Sequence, residues 1–370
     1  MHQLMGDLRL GGLAIRYSLF IPQLYHWCLS LGFARSRIMP SRAFCSDESQ
    51  GYPVILMAQH FGTFPFDHGR VGGKVATDRH GPHAHHGEDL VIVQASHVGY
   101  DPATRSFGVY PRPRTAHGHH GTNCGKLCGV LDWYQTEYAH AAQTLALVQI
   151  EAQPYLVIDN ALLDPTRPEG LFLHLEALIG PQAQPLRVLS TSKVFPAAHA
   201  LVDRFGPHSW TTQPTPIATR LTADLFSFRR GPVLGPEGHD LLEEALQPAM
   251  PSLVTSDHPP LDAARYHTQI EFDRTFRSIQ REPAYADKNV LFIAGLNIDV
   301  APQPGLLFPL TKFVPWAAYA QLRDGRRILL EQQALFDTLS AMPTDNPDAI
   351  SFDQAIAMMA TAEAIEIPAV

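Results

Sequence analysis

Basic residues are scarce in this sequence, and they form no cluster. The 370 residues include 28 Lys and Arg against 36 Asp and Glu, which gives a net charge of −8. A nucleic-acid-binding protein needs a basic surface to neutralise phosphates, so we expect no nucleic-acid partner. Only 17% of the residues are charged, whereas 45% are hydrophobic, enough to build a sizeable core and to exclude a disordered chain.

Long hydrophobic runs are also missing. A membrane-spanning helix needs about 18 or more consecutive apolar residues. The most apolar early segment, residues 10–33, is interrupted by Arg16, Pro22 and His26. The first residues lack the basic stretch and compact apolar segment of a secretory signal. We therefore expect a cytoplasmic protein that does not enter membranes.

Cysteines are few, whereas histidines are concentrated in one part of the chain. The four cysteines are Cys28, Cys45, Cys124 and Cys128. In a reducing compartment, such scattered cysteines are more often core residues, metal ligands or nucleophiles than disulfide partners. Ten of the 19 histidines lie between residues 60 and 120. Because imidazole binds metals and titrates near neutral pH, this segment predicts a metal or proton-transfer site, the alternative being a solvated histidine-rich rim.

Hydrophobic periodicity predicts strands mixed with helices, and therefore an α/β or α+β fold, of which we take α/β. Residues 9–33 have helical spacing, with Cys28 on the buried face and Pro22 expected to kink or split the helix. The other predicted elements are a strand at 37–44, a strand from Leu90 to about His97, a helix at 124–150 and a strand at 289–295.

Composition divides the chain into three regions. Residues 1–150 contain the clustered cysteines and histidines and are expected to form the metal-binding core. Residues 151–285 are rich in proline and predict an additional helical and loop region without a chemical motif. Residues 286–370 are expected to return one strand to the core sheet and to end in helices.

Cysteine and histidine ligands come together at predicted element ends. Cys45 and His97 each end a predicted strand, and the pair Cys124 and Cys128 opens a predicted helix, whose N-terminus favours the thiolate form of Cys124. Two thiolates and one imidazole make a Cys2His zinc site with an open fourth position, which is typical of catalytic rather than structural zinc. Asp47, two residues after Cys45, could hydrogen-bond a ligand in that position.

Several motifs together resemble one family. In chain order they are LGFARSRIMPSRAFCSDE, GTFPF, GKV, DLVIVQASHVGYD, FGVYPR and NCGKLCGVL, and they cover roughly residues 28–132. Their order and spacing are similar to those of the limiting-CO2-inducible B/C family of β-type carbonic anhydrases, also called θ. GLNID at residues 295–299 is similar to a late strand of that family.

The resemblance implies a zinc enzyme that reversibly hydrates CO2 to bicarbonate. It implies a β-carbonic-anhydrase-like mixed sheet flanked by helices, and a homodimer whose subunits pair near their active sites. The zinc ligands fall on Cys45, His97 and Cys124, although a four-residue shift would make Cys128 the third ligand. The catalytic acidic residue falls on Asp47.

One departure from the family pattern leaves the activity open. β-type carbonic anhydrases carry Cys-x-Asp-x-Arg, and Ser49 stands here where that arginine pairs with the aspartate. A basic partner for Asp47 must then come from Arg42, Arg70 or Arg79, or the site is less active. The alternatives are a degenerate zinc-binding subunit that acts through partners, a zinc hydrolase with Glu48 as general base, and a histidine-rich metal-handling protein.

Overall fold

A computed structural model of the chain describes residues 9–70, 74–75, 89–111, 121–231, 239–302, 306 and 309–362. Its α-helices are α1 (Tyr17–Ser30), α2 (Gly51–Phe61), α3 (Gly125–Thr144), α4 (Leu175–Ile179), α5 (His199–Phe205), α6 (His239–Leu246), α7 (Met250–Val254), α8 (Pro259–Arg281), α9 (Gln332–Ser340) and α10 (Phe352–Thr361). No helix in this part of the chain combines the length and apolarity needed to cross a membrane.

The first nine strands are short except for two. They are β1 (Ile15–Arg16), β2 (Ile38–Ala43), β3 (Phe66–Asp67), β4 (Gly69–Arg70), β5 (Lys74–Val75), β6 (Asp89–Asp101), β7 (Ser106–Phe107), β8 (Val109–Tyr110) and β9 (Gly121–Thr122). The later strands are β10 (Ala146–Ile150), β11 (Gln153–Asp159), β12 (Gly170–Leu173), β13 (Arg187–Val188), β14 (Ser192–Pro196), β15 (Thr215–Pro216), β16 (Phe226–Arg229), β17 (Val290–Val300), β18 (Leu310–Gln321) and β19 (Arg327–Glu331).

The chain separates into two compact units. Of the described residues, one unit comprises residues 125–267, and the other comprises those from Arg9 to Cys124 together with those from Thr268 onward. These limits differ from the divisions after residues 150 and 285 that composition predicts. The first limit falls earlier because α3 packs with later elements, as in the edge-on contact of Tyr134 with Phe228 of β16, with ring centroids 4.9 Å apart.

The larger unit is built on a mixed sheet with the strand order β1-β18-β17-β6-β2-β3. The strands β17, β6, β2 and β3 run parallel to one another, whereas β18 runs antiparallel to β17. β19 extends the sheet beside β18, and β7 pairs with β6. This arrangement confirms the predicted α/β class with a mixed sheet between helices.

Both faces of the central strands are buried, which explains why β6 reads as a continuous apolar run. Val91 and Val93 point into a core shared with α1, α2 and α9. Leu90 and Ile92 point to the opposite face, where Phe272 of α8 packs. Because side chains alternate between the two faces of a strand, His97 lies on the same face of β6 as Val91 and Val93.

Helix α1 confirms the early helical pattern and is not split at Pro22, whereas the alternative, a kink, stays a prediction. The helix is continuous from Tyr17 to Ser30 and contains Pro22. Proline costs one backbone hydrogen bond there. That loss is offset by burial, since Phe20, Ile21 and Leu24 are fully buried around it. Cys28 is also fully buried, in agreement with its predicted core position.

The smaller unit contains an antiparallel sheet that sequence reasoning did not predict. Its strand order is β13-β14-β11-β10-β15. The predicted helix at 124–150 ends at Thr144, and β10 begins at Ala146. The turn between β10 and β11 uses Glu151 and Ala152 at φ +49° and +63°. Asn-Gly or similar residues normally mark such a turn, so the sequence carries no hairpin signal.

Replacing Gly295 with alanine is expected to destabilise the larger unit. A Cβ there would meet the ring of Phe313 and lie 2.5 Å from the carbonyl oxygen of Val314. Because the backbone at Val314 cannot move aside without an energetic cost, we expect Gly295→Ala to lower the free energy of unfolding by about 1–3 kcal/mol in chemical denaturation. Gly11→Ala, with no neighbouring atom within 4 Å, is the matched control. Equal stability of the two variants would contradict this packing.

Candidate metal centre

Three ligand atoms of the types that bind zinc converge in the larger unit. Cys45 follows β2, His97 lies in β6, and Cys124 follows β9. Their ligand atoms all lie within 4.8 Å of one another, and the two Sγ atoms are 3.9 Å apart. Because β2 and β6 are parallel neighbours, their carboxyl ends meet at one edge of the sheet. All three side chains are buried.

The geometry of this cluster fits a tetrahedral metal ion. With Zn–S bonds of about 2.3 Å, two tetrahedral thiolate ligands are about 3.8 Å apart. Nε2 of His97 is buried and has no hydrogen-bond partner among the described residues. This unpartnered ring nitrogen and the two thiols together form the donor set of a Cys2His site. Cys124, and not Cys128, belongs to the cluster.

The glycine of the His-Val-Gly motif allows the Cys124 segment to approach β6. The backbone N–H of Gly99 donates to the carbonyl of Asn123 at 2.8 Å, and the N–H of Asn123 donates to Gly108 at 3.1 Å. A Cβ on Gly99 would lie only 3.0 Å from Cβ of Asn123. The motif therefore combines a ligand with the close backbone contact that positions a second ligand.

Asp299 is the functional residue that sequence reasoning missed. Its carboxylate lies 2.9 Å from Nδ1 of His97, and both side chains are fully buried. A carboxylate only accepts, so Nδ1 carries the proton and Nε2 is left to face the thiols. The signal was the spacing of Asn297 and Asp299, which share one face of β17. The parallel register sets Asn297 directly beside His97.

The Asp299 carboxylate is surrounded by donors from two further elements. Ser49 donates its hydroxyl at 2.7 Å, Gln50 its side-chain amide at 2.8 Å and 3.0 Å, and Thr311 its hydroxyl at 2.9 Å. Ser49 and Gln50 lie in the 3₁₀ turn Glu48–Gln50, directly after Cys45. A buried charge is tolerated only when it is hydrogen-bonded in this way.

The network continues from the centre into the helical layer. Oε1 of Gln50 accepts from the amide of Asn297 at 2.7 Å, and Asn297 accepts from the hydroxyl of Tyr17 at 2.7 Å. Burial raises the pKa of Tyr17 well above its usual value, so its hydroxyl stays neutral and donates. Tyr17, the first residue of α1, is thus linked through Asn297 and Gln50 to Asp299, which contacts His97.

The charge states of the ligands depend on one another. Burial lowers the pKa of His97, but Asp299 and the thiols of Cys124 and Cys45 outweigh burial and raise it overall. The contact with Cys45 and burial together raise the pKa of the Cys124 thiol, although His97 opposes them. A cation that binds these residues must therefore displace protons from His97 and Cys124.

Asp47 caps the turn after Cys45 and stands apart from the three ligand atoms. Its carboxylate accepts from the backbone N–H of Ser49 at 3.3 Å. It is half-buried and is not among the residues whose ligand atoms converge within 4.8 Å. Its predicted catalytic role stays a prediction.

Of the three arginine candidates, only Arg42 has a described side chain. Arg42 forms an ion pair with Asp67 at 2.8 Å. The side chain of Arg70, all of Arg79, and the histidines at 80, 83, 85, 86, 117, 119 and 120 lie outside the described residues. His68 is buried and contacts the hydroxyl of Ser41, so it is not part of a solvated rim.

Comparison with known proteins gives matches among solved structures alone. No family model and no curated protein matches the chain. A histidine-to-alanine variant of PtLCIB4, a homolog of the limiting CO2-inducible protein LCIB, aligns with TM-score 0.50 and 10% identity over 86% of this chain and 93% of that chain. PtLCIB4 itself gives 0.49 and 10% over 86% and 95%. LCIB gives 0.47 and 11% over 87% and 96%.

The alignment with the PtLCIB4 variant confirms the resemblance that the motifs predicted. It covers most of both chains, so the similarity includes residues well beyond the motif region 28–132. The chain therefore has the fold of the LCIB homologs.

Replacing Asp299 with asparagine is expected to weaken metal binding. The amide cannot match a carboxylate as acceptor for His97, and loss of such outer partners typically costs 10–100-fold in metal affinity. We expect the zinc dissociation constant of Asp299→Asn, measured by competition with a chelating dye, to rise by a factor on the order of 10–100.

Asp89→Asn is the matched control for that variant. Asp89 is a buried carboxylate at the other end of β6, where it accepts from Asn289 and Arg323. We expect this variant to lose stability and keep its zinc affinity. Equal zinc affinities for the wild type and Asp299→Asn would show that Asp299 has no role in positioning His97.

Proposed function

We propose that the protein is a zinc-dependent carbonic anhydrase that catalyses the reversible hydration of CO2 to bicarbonate. The observation that carries the proposal is the buried cluster of Cys45, His97 and Cys124, which has the spacing of a tetrahedral site. The motif resemblance and the LCIB-like fold support it. Three convergent ligand atoms leave a fourth position for a small reactant.

The residues of the chain have distinct roles in this proposal. Cys45, His97 and Cys124 hold the zinc ion, which when bound makes hydroxide available near neutral pH by acidifying water, as carbonic anhydrase illustrates. Asp299 holds the His97 ring in the tautomer that leaves Nε2 toward the metal. Asp47 orients the attacking group by accepting its hydrogen bond, because it lies on the turn that directly follows Cys45.

A second candidate is a zinc-binding protein that does not hydrate CO2. Ser49 favours it, because this residue stands where β-type carbonic anhydrases carry the arginine that pairs with the aspartate. Its hydroxyl donates to Asp299 and accepts from Asn123 at 3.0 Å, on the inner side of the turn. The third alternative, a zinc hydrolase, would use the exposed Glu48 of the same turn as general base.

Removing one thiol is expected to abolish zinc retention. We expect the wild type to bind about one zinc ion per chain and Cys45→Ala to retain almost none after dialysis, since two protein ligands no longer make a structural or catalytic site. Metal content is measured by atomic spectroscopy and folding by circular dichroism. The large apolar core should keep the variant folded.

Cys128→Ala is the matched control for the thiol variant. Cys128 lies one helical turn after Cys124 but outside the cluster, so its removal should leave zinc content unchanged. Full zinc occupancy in folded Cys45→Ala would contradict the site. Loss of zinc in Cys128→Ala would move the third ligand to Cys128.

Replacing Asp47 with asparagine is expected to reduce turnover without removing zinc. Loss of one oriented electrostatic contact in a buried site typically lowers a rate by a factor on the order of 10²–10³, and we expect this reduction in stopped-flow CO2 hydration. Glu48→Gln, which changes the adjacent exposed carboxylate, should keep the wild-type rate.

The same measurements separate the candidate functions. Zinc-loaded wild type that hydrates CO2 no faster than buffer would favour the non-catalytic protein that Ser49 suggests. Undiminished hydration in Asp47→Asn would assign the role to another carboxylate. Ester hydrolysis that depends on Glu48, without CO2 hydration, would favour the hydrolase.

A further inference from the structure

A chain of side-chain amides joins helix α1 to the carboxylate that contacts His97. The hydroxyl of Tyr17 lies 2.7 Å from Oδ1 of Asn297, and Nδ2 of Asn297 lies 2.7 Å from Oε1 of Gln50. Nε2 of Gln50 donates to both oxygens of Asp299, at 2.8 Å and 3.0 Å. These side chains are all buried. Because buried polar atoms need a partner, each atom depends on its neighbour in this chain.

The surroundings of Gln50 determine which end of its amide faces the centre. Besides the two Asp299 oxygens, Oγ of Ser49 lies 3.0 Å from the Gln50 nitrogen. The Ser49 hydroxyl donates its single proton to Asp299 at 2.7 Å, so toward Gln50 it only accepts. An ionised carboxylate also only accepts. Because acceptors surround this position, the amide must place its nitrogen there and its oxygen toward Asn297.

This orientation continues through Asn297 and ends at Tyr17. Oε1 of Gln50 needs a donor, so Asn297 turns its nitrogen toward Gln50 and its oxygen toward α1. There the oxygen accepts from the Tyr17 hydroxyl, which stays protonated because burial and the charge of Asp299 raise its pKa well above the usual value. Tyr17 therefore supplies the last donor of the chain. Without its hydroxyl, Oδ1 of Asn297 would be a buried acceptor that lacks this donor, which is costly.

The orientation of Gln50 decides which acceptor receives the His97 proton. Nε2 of Gln50 lies 3.3 Å from Nδ1 of His97, and Oδ2 of Asp299 lies 2.9 Å from the same Nδ1. Two donors face each other across the longer distance, so Gln50 does not compete with Asp299. A reversed amide would offer His97 a second acceptor. A neutral amide accepts more weakly than a carboxylate and makes the imidazole a less basic metal ligand.

We propose that Tyr17 is a positioning residue of the metal centre. Its hydroxyl holds the amides of Asn297 and Gln50 in one orientation. This orientation reserves the Asp299 carboxylate for the Nδ1 proton of His97. The inference rests on the proposed function, because the imidazole belongs to the proposed zinc site, but one of its tests needs no metal.

Removing the Tyr17 hydroxyl is expected to weaken zinc binding. Tyr17→Phe keeps the buried ring and its edge-on contacts with Phe20 and Phe313. We expect its zinc dissociation constant, measured on the full-length protein by competition with a chelating dye, to rise by a factor of about 3–10, as for the loss of one net hydrogen bond. Folding is measured by chemical denaturation.

Tyr25→Phe is the matched control for this variant. Tyr25 lies on the same helix, is also buried, and donates its hydroxyl to Asp348 at 2.8 Å. Its removal costs a comparable hydrogen bond that does not belong to the amide chain. We therefore expect Tyr25→Phe to lose stability and to keep the zinc dissociation constant of the wild type.

A double-mutant cycle shows whether Tyr17 acts through Asp299. In the Asp299→Asn background there is no carboxylate to reserve for His97, so adding Tyr17→Phe should change the zinc dissociation constant by less than about twofold. A merely structural role would weaken binding by the same factor in both backgrounds, since independent substitutions add in free energy. Equal factors in the two backgrounds would overturn the proposal.

Proton NMR of histidine-labelled, metal-free protein tests the orientation of Gln50 directly. In the wild type, the Nδ1 proton of His97 should give a strong nuclear Overhauser effect to the Gln50 side-chain amide protons, because the two nitrogens lie 3.3 Å apart. Its resonance should lie far downfield, as is typical of a charge-assisted hydrogen bond to a buried carboxylate. It should move upfield in Tyr17→Phe and stay in place in Tyr25→Phe.

These outcomes separate the positioning role from the proposed function. A wild type that binds no zinc, yet shows the expected Overhauser effect and the shift in Tyr17→Phe, would contradict the zinc enzyme and support the positioning role. Wild-type zinc affinity or an unchanged Nδ1 resonance in folded Tyr17→Phe would overturn the positioning role and leave the zinc site in place. If Tyr17→Phe does not fold, the Overhauser effect in the wild type decides, and its absence overturns the proposal.

Discussion

The hydrogen bond between His97 and the buried carboxylate of Asp299 determines how the candidate centre is built. A carboxylate removed from water must be surrounded by donors, and here they come from Ser49, Gln50 and Thr311. Ser49 and Gln50 belong to the turn that directly follows Cys45. Satisfying the carboxylate therefore also fixes the segment that presents the first thiol. One buried charge thus orients the imidazole and anchors the loop of a second ligand.

The sheet makes this contact possible through register and close packing. His97 and Asp299 lie on adjacent parallel strands, two residues apart in register and on the same face. Gly99 lets the Cys124 segment pack against β6, and Gly295 lets β17 pass beside Phe313. Both glycines lack a side chain at points of close packing. Their small size lets the neighbouring segments approach β6 and β17 near the centre.

The ligands could be predicted from the sequence, whereas their support could not. Cys45 follows β2 and His97 lies within β6, strands that hydrophobic runs reveal, so their convergence follows from parallel neighbours in one sheet. Asp299 lies 202 residues from His97 along the chain, and its partner depends on strand register, which no local pattern encodes. The antiparallel sheet of residues 125–267 was missed for a local reason. Its hairpin turns at Glu151 and Ala152, residues that give no turn signal.

X-ray absorption at the zinc edge of the purified, zinc-loaded protein tests the central claim most directly, because it reports the ligand atoms themselves. The account predicts two sulfur ligands at about 2.3 Å and one imidazole nitrogen at about 2.0–2.1 Å, with a light atom completing four-coordination. A zinc ion bound by oxygen and nitrogen alone, or by three sulfurs, would contradict a centre made of Cys45, His97 and Cys124.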